Sequence, residues 1–129
     1  IGAMKNGRLS GFRFSADFNT GAYASWGPTV ANRVPVHASG PYAIADYVAT
    51  ARAIHTNCPP SGAFRGFGVP QSAIAQESLF DDLAEKLGMD ALEFRILNAI
   101  EDGHPTVCGQ VFEQGVGAKA VLGFASRLG

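Results

Sequence analysis

From Phe12 to Asn19 apolar and polar residues alternate, with Phe12, Phe14, Ala16 and Phe18 on one side and Arg13, Ser15, Asp17 and Asn19 on the other. A period of two belongs to a strand with one buried face, which predicts a strand at about Leu9–Asn19. Just ahead of it, Asn6-Gly7 predicts a type I′ hairpin turn, whose two central residues both need positive φ. A second alternation, from Tyr47 to Thr56, sets Val48, Thr50, Arg52 and Ile54 against Ala49, Ala51 and Ala53, so the small face is expected to pack closely. Between the two strands, Trp26-Gly27-Pro28 opens a short helix that Pro35 should limit to about two turns.

After Pro70 the period changes. Ile74, Leu79, Phe80, Leu83, Ala84 and Leu87 form one helical stripe, and Gln76, Glu77, Asp81, Asp82 and Glu85 form a polar one, predicting an amphipathic helix at about Pro70–Leu87 with its acidic side in water. Gly88 suits the residue that ends it. Asp90 and Glu93 then have capping-box spacing for a second helix to about Ala99, with Leu92, Phe94, Ile96 and Leu97 to bury. Beyond Thr106 the pattern weakens, because Gly115, Gly117 and Gly123 interrupt an otherwise helical tail. Strands followed by helices, with no linker between, give an α+β fold: a small sheet with at least two long strands packed against two C-terminal helices, forming a single domain or part of one.

Composition narrows the function. The chain has 129 residues, of which 47% are hydrophobic, enough for one core. Only 16% are charged, against about a quarter in ordinary globular domains, so part of the surface is expected to face protein. A net charge of −1 leaves no footprint for nucleic acid or an anionic membrane. No apolar run approaches the roughly 20 residues that span a bilayer, and no leader pattern opens the chain, so a cytoplasmic location is expected. Starting at Ile1, without an initiator methionine, fits a piece of a longer protein. Cys58 and Cys108 are too few and too separated for a disulfide framework or zinc site, and His37, His55 and His104 lack ligand spacing. Reduced thiols and no metal ligands are expected.

The most constrained stretch is Thr56–Gln71. Pro59, Pro60, Gly62, Gly66 and Gly68 enclose Phe64, Arg65 and Phe67, and the loop runs directly into the helix at Pro70. Glycine lets a ligand approach main-chain N–H groups, and a helix start offers unpaired donors and partial positive charge, so an anionic group suits this end. The loop is no nucleotide fingerprint: a third glycine and a P-loop lysine are both missing. Arg33, between Val30 and Val34, either pairs with a local carboxylate such as Asp17 or aims its fixed charge into a pocket. Phe64 and Phe67 are core candidates by residue type. Gln71 is either a solvated first-turn residue or a side-chain amide facing a ligand.

This loop, with Asp17-x-x-x-Gly21-Ala22-Tyr23-Ala24, Asn32-Arg33-x-x-x-His37 and Leu83-Ala84-Glu85-Lys86-Leu87-Gly88-Met89, resembles the molybdopterin-binding subunit of the xanthine dehydrogenase and aldehyde oxidase family. The resemblance runs from about Gly7 to Gly103. It implies that Ala63, Phe64 and Arg65 contact the molybdenum–molybdopterin cofactor largely through backbone, and that Ala63 and Phe67 border the substrate. It implies, too, that Arg33 stabilises negative charge growing on the substrate. The implied enzyme hydroxylates purines, related N-heterocycles or aldehydes with oxygen from water, and passes electrons to iron–sulfur and FAD domains or subunits. Family molybdenum subunits are several times longer and carry a general-base glutamate near the carboxyl end that nothing here matches, so this fragment alone is expected to be inactive. A non-catalytic structural or docking module of the same fold is the alternative.

Overall fold

A computed structural model describes residues 1–127. β1 (Gly2–Ala3) pairs antiparallel with β2 (Leu9–Gly21), α1 (Gly27–His37) crosses over, and β3 (Asp46–His55) returns parallel to β2, in the order β1-β2-β3. Then follow α2 (Val69–Leu87), α3 (Ala91–Asn98) and α4 (Ala118–Ala125). No helix among the described residues is long and apolar enough to cross a membrane.

The expected α+β arrangement holds. Phe12 faces Tyr47 and Phe18 faces Ala53 across the parallel pair, so the aromatic side of β2 and the small side of β3 make one inner face. Leu9 and Phe12 join Tyr42, Phe80, Ala84 and Phe94 in the core, which brings both α2 and α3 against the sheet. Phe80 stands edge-on to Tyr42 and Phe94, at centroid distances of 4.8 and 5.8 Å, within the range aromatic pairs prefer. Asn98, buried beneath the hairpin, accepts from the Leu9 N–H at 2.8 Å and donates to the Gly7 carbonyl at 2.9 Å, tying α3 to the start of β2.

Several local expectations are corrected. The hairpin loop is Lys5-Asn6-Gly7: the Met4 carbonyl accepts from the Gly7 N–H and the Met4 N–H donates to the Arg8 carbonyl. Only Gly7 has positive φ, 86°, so one left-handed residue suffices where a type I′ turn needs two. α1 continues through Pro35 to His37, about three turns; the missing proline donor costs one bond, and the helix remains packed through Ala31 and Val34. In α2 the buried row is Ser72, Gln76, Phe80 and Ala84, whereas Ile74 and Leu79 are exposed. Gln76, expected in water, is 3% exposed, and its Nε2 has no partner.

The acidic side of α2 is only partly solvated. Arg95 of α3 donates to Glu77 at 2.8 Å and pairs with Asp81 at 2.8 Å, joining the two helices. Asp90 caps α3 as expected, its carboxylate accepting from the N–H groups of Leu92 and Glu93. Of the four apolar residues assigned to α3, Phe94 alone is fully buried; Leu92, Ile96 and Leu97 are half-buried. In the tail Gly117 becomes the N-cap of α4, a helix with no buried residue.

Candidate functional site at the carboxyl end of the parallel strands

Because β2 and β3 run parallel, the loops that follow them, 22–26 and 56–68, leave the same edge of the sheet, each leading into a helix. In sheets of this kind ligands collect outside the carboxyl ends of the strands. The loops are joined by main-chain bonds of 3.1 Å: Thr56 N–H to the Gly21 carbonyl, Ala22 N–H to the Cys58 carbonyl, and Ser61 N–H to the Thr20 carbonyl. Gly21 is required here, since its φ is 76° and a Cβ would run into the Pro59 main chain. Between the loops lies a cleft of about 260 Å³, bordered by Phe18, Thr20, Val30, Phe64, Phe67 and Gln71.

Both helices begin there uncapped. Neither α1 nor α2 has a side-chain cap or an acidic residue in its first turn, and each has proline at its first or second position. Gly66, Phe67 and Gly68 take three successive positive φ values of 94°, 48° and 78°. Among the described residues, the N–H groups of Phe64, Arg65, Gly66 and Gly68 make no hydrogen bond. Unpaired main-chain donors in and just before this left-handed run, beside two bare helix starts, suit anionic groups. Gly68 also lets the loop lie against α1: a Cβ on it would stand 2.9 Å from Val34 Cγ2.

The residues singled out in the sequence fall as follows. Phe67 is half-buried and lines the cleft. Phe64, a core candidate by type, is 83% exposed and lines it too; its neighbours in the loop give it nothing to pack against. Ala63 and Arg65 are exposed in the same loop and do not border the cleft. Arg33 is exposed and does not line the cleft, yet it lies one helical turn from Val30, which does. It does not pair with Asp17. Arg52 takes that carboxylate through two bonds of 2.7 Å and holds it below its ordinary pKa.

Asn19, Thr20, Ser61 and Gln71 complete the polar lining. Gln71 stands out in the sequence by its place at the helix start; the other three carry no such mark beyond the polar Asn19-Thr20 pair at the end of β2. Cys58 is exposed beside Thr56 and Asn19, whose hydrogen bonds lower its thiol pKa. Among the described residues, no cluster of His, Cys, Asp and Glu is placed to hold a metal ion.

The loop closes a β-α-β unit and feeds a helix that starts Val-Pro-Gln, an arrangement suited to binding an anionic group. Residues 1–99 match the family model described as the molybdopterin cofactor-binding domain, and the chain belongs to that family. It is 47% identical over 116 residues to the nicotinate dehydrogenase large molybdopterin subunit of Eubacterium barkeri, covering 90% of this chain and 27% of that subunit. A putative xanthine dehydrogenase molybdenum-binding subunit of Escherichia coli K12 is 35% identical, with 90% of this chain and 16% of that protein covered. In three dimensions the chain superposes on aldehyde oxidoreductase of Desulfovibrio desulfuricans with a TM-score of 0.86 and 33% identity, over 98% of this chain and 14% of that one. The chain thus spans about a quarter or less of these relatives.

The site's chemistry fits the cofactor implied by the family. Molybdopterin offers anionic sulfur and phosphate oxygen, and the cleft offers main-chain donors and helix N-termini with no carboxylate on its wall. Arg33 and Arg65, near the cleft on α1 and in the loop, make no ion pair among the described residues and leave their charge available.

Proposed function

We propose that the chain forms one wall of the molybdenum-cofactor and substrate site in a cytoplasmic molybdenum hydroxylase acting on an N-heteroaromatic ring. The observation that carries this reading is the meeting, at one end of the fold, of the unpaired N–H groups of Phe64, Arg65, Gly66 and Gly68 with a cleft bordered by the aromatic side chains of Phe18, Phe64 and Phe67. When bound, the cofactor supplies the oxygen-transfer and two-electron chemistry. The N–H groups of Ala63, Phe64 and Arg65 hold its anionic edge. Phe67, with Ala63 beside the bound ring, positions a flat substrate, a contact worth roughly 0.5–1.5 kcal/mol beyond burial.

Arg33 has the remaining role: its guanidinium stabilises negative charge that builds on the ring as hydroxylation proceeds. An aldehyde needs neither an aromatic wall nor a cation opposite the reacting carbon. Similarity to a nicotinate dehydrogenase subunit and a putative xanthine dehydrogenase subunit supports the heteroaromatic class. Electrons then leave to iron–sulfur and FAD domains or subunits, and the rest of the molybdenum subunit completes the site.

The test is kinetic and uses the intact enzyme. Arg33→Met should lower kcat/KM for a nicotinate- or purine-type ring by about a hundredfold, and for a simple aldehyde by less than about threefold, since only the ring accumulates charge opposite it. Equal losses for both substrates would remove Arg33 from the mechanism and leave the substrate class without support.

A further inference from the structure

The outer face of the sheet, turned away from the core, is bare. Ser15 and Thr50 lie on it, and its apolar members, Val48 and Ile54, are 57% and 39% exposed. Parallel strands ordinarily lie in sheets covered on both faces, and β-branched apolar residues are typical of positions packed against a neighbour. β3 is also an outer strand, with no partner on its far side among the described residues. It is ten residues long and contains no proline, and its one central charge, Arg52, is tied to Asp17. Edges that stay free are usually short, bulged, interrupted by proline or guarded by unpaired charge. β3 has none of these protections.

A depression of about 440 Å³ lies on this face between Arg13, Ser15, Val48, Thr50 and Arg52. Arg13 borders it and makes no ion pair among the described residues. We propose that the outer face and the β3 edge dock the rest of the same molybdenum subunit. One of its segments adds a strand beside β3, lays apolar side chains over Val48 and Ile54, and sets a carboxylate opposite Arg13. Main-chain bonds along the edge supply affinity, and the alternating side chains fix the register. This rests on the proposal that the chain is part of a longer molybdenum enzyme. The relatives give the reason for choosing this occupant: the chain spans 27% of one subunit and 16% of another, so most of the polypeptide in such proteins lies outside this region.

The experiment compares Val48→Lys/Ile54→Lys with wild type, and with Ser78→Lys as an exposed control on α2, both in the 129-residue chain and in the intact subunit. In the isolated chain both positions face water, so circular dichroism and melting temperature should not change. In the intact subunit the double variant should lower the yield of folded, molybdenum-loaded protein by about tenfold, while Ser78→Lys leaves it unchanged. Alternate β3 amides should exchange about a hundredfold more slowly in the wild-type intact subunit than in the isolated chain. Normal yield of the double variant overturns the proposal, and so does equal β3 exchange in the two contexts. An isolated chain that dimerises by light scattering, and is made monomeric by the same lysines, assigns the face to a second copy and overturns it too. Failure of the parent reading is distinct, since the wild-type intact subunit would then hold no molybdenum.

Discussion

Gly66, Phe67 and Gly68 take left-handed conformations in succession, and only the glycines do so at no steric cost. Phe67 pays about 1–3 kcal/mol for its place, a cost consistent with a ring held for a ligand. Gly68→Ala should lower stability by about 1–3 kcal/mol, because it adds backbone strain to a Cβ lying 2.9 Å from Val34; an unchanged denaturation midpoint would contradict this. The aromatic, arginine and glycine types of the loop were legible in the sequence. The exposure of Phe64 was not, because residue type reports average burial and says nothing of a loop that stands away from the core.

Two tyrosines set a pH limit at the same scale. Burial, reinforced by the neighbouring Glu77 carboxylate, pushes the Tyr42 phenol well above its ordinary value, and burial pushes Tyr47 up to about 12. Both values are raised on folding, so their contribution to stability is complete below the unfolded pKa of about 10 and is lost as pH rises through the folded values. Absorbance titration at 295 nm should show phenolate appearing late, coincident with loss of fold. Tyr47→Phe should remove one late component; titration of all tyrosines near pH 10 in the folded protein would contradict the burial.

Among the elements, α3 depends on two polar residues. Asp90→Ala removes the cap and should cost about 1 kcal/mol. Asn98→Leu strands the Leu9 N–H and the Gly7 carbonyl in the core and should cost about 2–4 kcal/mol, seen as a clear fall in the urea midpoint. Equal effects of the two substitutions would mean that Asn98 is not the tie between hairpin and helix. The strands were readable because a period of two left no other element to fit. The packing side of α2 is not legible from its apolar pattern, because Ile74 and Leu79 are apolar but uncovered, while Gln76 is polar but buried against Gly40. Parallel pairing of β2 and β3 was not legible either, since strand direction depends on the α1 crossover rather than on the strands' own pattern.

At the scale of the whole molecule, the cleft at the carboxyl ends of β2 and β3 is the proposed wall of a larger site. The chain spans 27% of one relative and 16% of another, and on the proposed reading a single loop would bear the ordering cost of binding alone. The isolated chain should therefore carry far less than one molybdenum per chain after gel filtration and should show no hydroxylase turnover; stoichiometric metal by elemental analysis would overturn that. The loop and its helix start marked this end of the fold in the sequence. The contribution of Thr20 and Asn19 from β2 needed the topology, because only parallel strands bring their carboxyl ends together.

On the proposed reading, the molybdenum cofactor lies against residues 63–68 at the carboxyl ends of β2 and β3. Anomalous diffraction from crystals of the intact enzyme, collected on both sides of the molybdenum absorption edge, locates the metal without reference to any assumed site. A single molybdenum peak is expected facing the mouth of the cleft formed by Phe18, Phe64 and Phe67, with the pterin's anionic atoms against the N–H groups of the loop. A peak against the outer face of the sheet, or beside α3 and α4, would contradict it.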